Sequence, residues 1–436
     1  MSGLVMALAA ASLMTGAQAD VEFDFETRWR YALLDDQFRA GGSDQALSGR
    51  TLVGLRLNAG AWTLGGELID SRVYQDDSGS TLTTSMVNTA DILQAYASWQ
   101  DVADGVQTDI QLGRFTLNVG SRRFMARNGF RNTINAFTGA NIRRAAEDWR
   151  FTAFLVSPVR RFPNERRALE RNEHDWDEEN FDQTFLGLHF QHALAAPRTR
   201  YEAFLFALDE TDSSELATAD RQLLTLGGRY YRAPAAGEWD FDIEGAVQWG
   251  ERSETRAEPS PTRDVFAATG HAELGYTFAS PWSPRVSAEI EYASGDDDIS
   301  DADWGRYDLL YGLRRRDFGQ TGIHGPLRRE NIIAPGVRLT LRRDAALDLR
   351  VLYKAGWLAS ETDVWTDGRL RDVTGQSGRF VGHHLDTRLR YWVVQDRLQL
   401  EVGGAIFERG GFANDAPGAP DATTSVFGYS MVTLRY

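Results

Sequence analysis

Val21-Glu22-Phe23-Asp24-Phe25-Glu26-Thr27-Arg28-Trp29-Arg30-Tyr31 alternates apolar or uncharged side chains with charged ones, position by position. In an extended strand, successive side chains point to opposite faces. Residues 21–31 therefore form a ribbon with an apolar face and a face of five consecutive charges. Such a charged face needs water along its whole length. The exterior of a soluble sandwich could supply it, and so could the wet interior of a barrel whose apolar faces meet lipid.

The rhythm recurs to the end of the chain. Trp239, Phe241, Ile243, Val247 and Trp249 alternate with Asp240, Asp242, Glu244 and Gln248. Val286, Ala288, Ile290 and Tyr292 alternate with Arg285, Ser287, Glu289 and Glu291. The same holds around Leu347–Trp357, Leu385–Val393 and Leu398–Ile406. About 18 such segments can be drawn, at 21–33, 49–58, 61–73, 88–100, 105–115, 136–145, 147–157, 182–191, 198–208, 221–232, 238–250, 264–279, 285–293, 330–342, 347–358, 380–394, 397–408 and 423–436. Alternation is weak in 136–145 and 182–191. Trp29, Tyr31, Trp239, Trp249, Trp282 and Trp357 fall near segment ends, where interfacial girdles lie. Glycine pairs inside segments, such as Gly65-Gly66, Gly227-Gly228 and Gly403-Gly404, suit bends or close packing.

Short turns such as Ala59-Gly60 and Gln395-Asp396 alternate with long polar stretches at 34–48, 74–87, 116–135, 158–181, 209–220, 251–263, 294–329, 359–379 and 409–422. Short periplasmic turns opposite long extracellular loops mark a transmembrane barrel. Leu4–Leu13 is apolar and Ala17-Gln18-Ala19 resembles a cleavage site, although Met1-Ser2-Gly3 carries no basic residue. Residues 1–19 are thus expected to be a secretory signal and 20–436 one barrel domain. No later apolar run approaches the ~20 residues of a spanning helix, and only a closed barrel crosses lipid without helices. The expectation is an all-β, antiparallel barrel in the bacterial outer membrane. Its outside would meet lipid and lipopolysaccharide. Its last strand, alternating from Val426 to the terminal Tyr436, would engage the barrel-assembly machinery.

The chain has no cysteine, which removes disulfides and thiolate metal sites. Its net charge of -15 argues against a nucleic-acid partner. Lys354 is the sole lysine; every other basic side chain is arginine. Guanidinium pairs bidentately with carboxylates and keeps its charge.

Gln111-Leu112-Gly113-Arg114-Phe115, followed by Gly120, Arg122, Arg123, Arg131-Asn132 and Phe137-Thr138-Gly139-Ala140, resembles the alginate-export family of outer-membrane channels. Ala293-Ser294-Gly295-Asp296, with Tyr307-Asp308 and Phe318-Gly319, adds a second patch. Phe115 stands where the family often has Gln, and Phe137–Ala140 departs from its Phe-Asp-Gly-Val form. The resemblance implies 18 strands, an arginine-rich pore and export of an alginate-like polyuronate.

Polar-face positions nominate Arg28, Arg30, Arg56, Arg150, Arg200, Arg229, Arg338, Arg350, Lys354, Arg388 and Arg390 as pore-lining, anion-binding groups. The resemblance adds Arg114, Arg122, Arg123, Arg143 and Arg144. The same faces carry Glu22, Asp24, Glu26, Glu67, Asp240, Asp242, Glu244, Glu289 and Glu291, so for any one arginine cross-strand charge pairing is the first reading and anion binding the second. Connection 294–329 is the foremost candidate to fold inward, with 158–181 the second. Asp296, Asp297 and Asp298 offer oxygen ligands for Ca²⁺ without the spacing of a known calcium loop. No other cofactor is expected. No nucleophile, base and orienter are gathered, and His383-His384 beside Asp386 reads as lumen polarity, so no enzyme is expected. The leading function is a porin passing a polar anionic solute or polysaccharide. The alternative is uptake of small organic acids or oligosaccharides, and the third is an outer-membrane enzyme or adhesin.

Overall fold

A computed structural model describes residues 19–436 except 40, 78–79, 81, 214–215, 258, 320–324 and 423. Residues 1–18 of the expected signal segment lie outside the described residues. The strands are β1 (Asp20–Asp35), β2 (Asp44–Ala59), β3 (Trp62–Tyr74), β4 (Asn88–Ala103), β5 (Val106–Phe115), β6 (Phe137–Ala145), β7 (Trp149–Arg160), β8 (Glu178–Glu179), β9 (Gln183–Ala193) and β10 (Thr199–Glu210). They continue as β11 (Gln222–Arg232), β12 (Glu238–Ser253), β13 (Thr262–Thr277), β14 (Arg285–Ala293), β15 (Asp303–Trp304), β16 (Ile332–Arg342), β17 (Leu347–Trp357), β18 (Phe380–Val394), β19 (Leu398–Arg409) and β20 (Thr424–Arg435).

Eighteen of these form a closed antiparallel barrel. Each pairs with the next, β7 with β9 and β14 with β16. β20 returns to β1, with Glu26 opposite Arg435 and Asp35 opposite Val426. Closure removes both sheet edges and satisfies the backbone around the ring. The two-residue strands lie outside the ring order: β8 adds to the end of β7, and β15 runs parallel to β13. No helix among the described residues is long and apolar enough to cross a membrane.

The alternation sorts side chains as the first strand indicates. Phe23, Leu55, Leu68, Leu112, Leu155, Leu226, Ile243, Val337 and Val402 are exposed on the outer surface. Trp29 stacks on Tyr74 near one rim, and Trp239 packs on Tyr276 near the other. Large rings lie over strand glycines: a Cβ at Gly65 would sit 2.3 Å from the Tyr96 ring, and one at Gly227 2.4 Å from that of Phe204.

Connections at one end are short, as at 60–61 and 104–105; those at the other reach 116–136, 161–182, 294–331 and 358–379. The expected long loop at 34–48 is a correction. Pairing runs on through Ala32–Ala46 to Leu34–Asp44, leaving only 36–43 unpaired. Leu34 and Ala46 are buried there, which keeps the hairpin extended above the wall.

Part of the interior is dry. Phe137, Phe154, Phe185, Phe204 and Phe206 project inward from β6, β7, β9 and β10. They bury Phe124 and Met125 of connection 116–136 and Tyr307 of connection 294–331. Phe124 and Phe204 have centroids 4.6 Å apart. This explains the weak alternation of 136–145 and 182–191. With inward loops covering Phe137 and Phe185, the loop end of each strand is apolar on the inward face, and polar side chains such as Arg143 and Gln191 return only toward the short-turn end.

Candidate functional site: inward loops against an arginine wall

Connection 116–136 enters the barrel first. Gly120 has φ +51°, and a Cβ there would lie 2.7 Å from His189 Nε2, so the tip needs a residue without one. The turn delivers Ser121 Oγ to Glu244 at 2.8 Å and buries Arg123. Connection 294–331 meets it. Leu313 N–H donates to the Arg122 carbonyl at 2.8 Å and Tyr311 N–H to that of Phe124 at 3.1 Å. Residues 314–318 thereby reach the middle of the lumen.

Charge fixes this arrangement. Arg123 binds Glu244 of β12 and places Nη2 3.0 Å from Asp317. Asp317 also takes Arg329, which lies 3.3 Å from Glu291 of β14. Arg316 reaches Asp242 at 2.8 Å, and Arg315 reaches Glu401 at 3.2 Å while lying 3.9 Å above the Phe130 ring. Burial acts to lower the pKa of Arg123, but Asp317, Glu244 and Asp242 outweigh it and raise it well above its ordinary value. At Arg315 burial wins over Glu401 and brings the group down to about 10.

The wall is uneven in sign. One side, β12 to β14, carries buried Asp240, Asp242, Glu244, Glu273, Glu289 and Glu291. The other runs from β16 through β18 to β1 and β2. Its cations are Arg338, Lys354, Arg350, Arg388, Arg390, Arg30, Arg28 and Arg50, which outnumber the carboxylates Asp348, Asp386, Glu401 and Glu26 among them. Neighbouring cations act on one another along it: Arg28 with Arg50, Arg30 and Arg315, then Arg315 with Arg388 and Arg390, then Arg350 with Arg338 and Arg388.

The nominated residues take different places. Arg338 and Lys354 share Glu289, at 2.6 and 2.9 Å. Arg229 pairs with Asp242 at 2.6 Å, Arg390 with Glu401 at 2.7 Å and Arg388 with Asp348. Arg350 lies 3.8 Å from Asp386 and donates weakly to the carbonyls of Arg315 and Arg316. Arg28 and Arg30 use backbone instead. Arg28 donates to the carbonyls of Gly129 and Arg131 at 2.8 and 2.6 Å, and Arg30 to that of Phe130 at 3.1 Å. Toward the short-turn end, Arg56 pairs with Glu22 and Asp24, and Arg143 with Asp109 beside Arg150 in a recess of about 340 Å³. Arg200 is half-buried on the lumen side of β10, and Arg122 is exposed at the loop tip.

Two nominations are corrected. Arg144 shares the outward face of β6 with exposed Ile142, because alternation from Arg143 turns it to the exterior. Arg114 shares the outward face of β5 with Leu112; it donates to Glu179 at 2.6 Å and to the Ile92 carbonyl at 2.9 Å. Sequence reasoning also missed Arg50, Arg315 and Arg316. Arg50 could have been found, since it shares a face with Arg56. Arg315 and Arg316 lie in a loop, where periodicity gives no face.

Among the described residues, Asp296, Asp297 and Asp298 do not bring three ligand atoms within 4.8 Å of one another. Asp296 is buried with its backbone N–H on Asp363, and Asp298 accepts from Ser300. Among the described residues, the trios of potential ligands within 4.8 Å are instead Asp242–His271–Glu273 and His271–Glu291–Asp317. His383 and His384 fall on opposite faces of β18: His384 is buried, and His383 meets the Tyr353 hydroxyl at 2.8 Å.

A closed barrel of eighteen strands, apolar outside, charged within and narrowed by inward connections, defines an outer-membrane porin. The protein resides in the bacterial outer membrane. The chain belongs to the alginate-export family, whose model matches residues 19–427. Its fold is similar to that of Pseudomonas aeruginosa OpdK, solved with vanillate (TM-score 0.60, 10% identity, covering 96% of this chain and 98% of that one). It is likewise similar to P. aeruginosa OccK2 (OpdF) in complex with glucuronate (0.58, 10%, 95% and 98%). Acinetobacter baumannii OccAB1 is a third (0.62, 10%, 97% and 99%). By sequence, no curated protein matches the chain.

Proposed function

We propose that this porin takes up small organic acids, sugar acids among them, through the outer membrane. The observation that carries the reading is the one-sided arc of cations from Arg338 to Arg50, facing the carboxylates of β12 to β14 across the inward loops. An excess of fixed charge of one sign on one wall of a narrow passage draws counter-ions and lets them step between weak sites. Vanillate and glucuronate, present in two structures of the same fold, are carboxylates of this size. The order of the two transport expectations is thereby reversed, with small acids ahead of a polyuronate. Export of an alginate-like chain remains the second reading, favoured by the family model.

In this reading the short turns face the periplasm and the long connections the exterior. Residues 1–19 direct export and are removed, leaving 20–436 as the barrel. The apolar belt meets lipid and lipopolysaccharide, and β20 is the segment the assembly machinery engages. The loops serve passage rather than catalysis or adhesion. Reversal potentials across planar bilayers with a salt gradient test it. Anion preference at neutral pH is expected, and clear cation preference would overturn it.

A further inference from the structure

Two recesses open at the long-loop mouth and share Arg131, Leu309 and Gly312. The first, of about 250 Å³, is also lined by Arg39, Arg314, Arg328 and Arg369. Its single carboxylate, Asp367, is already engaged by Arg314 at 2.8 Å, Arg328 at 3.1 Å and Arg39 at 3.6 Å. The second, of about 300 Å³, adds Arg160 and Arg161 and no acidic residue, over apolar Phe137, Leu310 and Tyr311. Arg160 has Glu178 at 3.9 Å, while Arg161 donates to the neutral oxygens of Thr84 and Asn135. Seven arginines and one carboxylate thus line the pair; behind the lining, Glu330 lies 3.4 Å from Arg328 and Asp177 acts on Arg161, which still leaves the cations in excess.

Arg131 is the hinge of the arrangement. No ion pair ties its guanidinium to a carboxylate among the described residues, and the charges that act on it are Arg161, Arg314 and Arg328. Burial first, and those like charges second, pull it down to about 9. Guanidinium groups gathered around water-sized space without enough counter-charge are stabilised by an anion that enters it. An apolar floor between two cationic regions also favours hydrocarbon between two charged ends.

We propose that the joined recesses capture an elongated organic dianion, one carboxylate held by Arg131 and Arg161 and the other among Arg314, Arg328 and Arg369. This rests on the anion-transport reading and adds to it the valence of the preferred solute and its point of entry.

The test uses the purified full barrel in planar bilayers, with adipate and hexanoate as probes of equal carbon number and different charge. Adipate added on the long-loop side is expected to interrupt the current at a concentration about tenfold or more below hexanoate, since each charge-assisted hydrogen bond is worth at least that. Arg131→Gln should abolish the difference, Arg131→Lys should restore part of it, and exposed Arg369→Gln should weaken it. Heat-modifiable gel migration checks that each variant is folded. Equal block by the two acids, or block unchanged in both Gln variants, overturns the proposal. Reversal potentials without probe separate the two readings. Cation preference with adipate block intact rejects the transport reading and keeps this site; anion preference without adipate block does the reverse.

Discussion

Arg123 and Asp317 lie 194 residues apart in sequence, yet Nη2 and Oδ1 meet at 3.0 Å inside the barrel. Both are almost completely buried, so each neutralises a charge that would otherwise be stranded away from water. The contact joins two connections that enter from opposite sides of the ring.

Removing one partner should release both loops. Arg123→Ala strips the buried Glu244 of its ion-pair partner, at a cost of about 3–5 kcal/mol, whereas Asp317→Asn leaves Arg123 with Glu244 and Arg329 with Glu291 and should cost less. A lower thermal midpoint and larger or noisier single-channel conductance are expected. Unchanged conductance in a folded variant would show that these loops do not set the aperture.

Arg390 and Arg338 should respond differently to charge reversal. Arg390 is partly exposed and its buried partner Glu401 keeps Arg315 and the Tyr429 hydroxyl, so Arg390→Glu should shift the reversal potential toward cations while the barrel still forms. Arg338 is held 2.6 Å from the fully buried Glu289, so Arg338→Glu sets two carboxylates together and should impair folding. Gel mobility and reversal potential, measured side by side, distinguish the two.

Connection 161–182 should loosen as pH rises. Burial, then the Asp91 carboxylate, lifts Asp177 from its ordinary range to about 7. A carboxyl raised in the folded state binds protons that the unfolded chain has released, so stability present at low pH is lost between about pH 4 and 7. Protease cleavage within 161–182 should increase over that interval, and Asp177→Asn should flatten the dependence. An opposite or absent trend in the wild type would contradict the buried acid pair.

Gly120→Ala should disturb the first inward loop. Left-handed backbone costs a non-glycine residue roughly 1–2 kcal/mol, and the new methyl would press on His189. Faster hydrogen exchange of the loop amides, such as the Arg122 N–H on the Val119 carbonyl, is expected, with little change in strands remote from β9 and β12.

The barrel was legible because lipid and water impose one rule on every spanning strand. Phe23 against Asp24 states it, and Ile243 against Glu244 repeats it. Where a third environment intervenes, the rule fades. Phe137 and Phe185 meet protein rather than water, and their strands lose contrast. Arg144 was misplaced because a motif position carried no parity, whereas its neighbour Ile142 did. The inward course of connection 294–331 was anticipated, at 294–329, from its length. Its docking on 116–136 rests on backbone hydrogen bonds such as Leu313 to Arg122, which leave no trace in residue type.

Arg28 and Arg50 both clasp the carbonyls of Gly129 and Arg131, and the same guanidinium groups belong to the cationic arc. A guanidinium has five N–H donors in a planar fork, enough to tether a strand of backbone while its fixed charge adds to the field of the lumen. Bore and preference are therefore written in the same side chains. A lineage that trades such an arginine for lysine keeps the charge and loosens the tether, so it cannot retune what the pore admits without also changing how wide it stands.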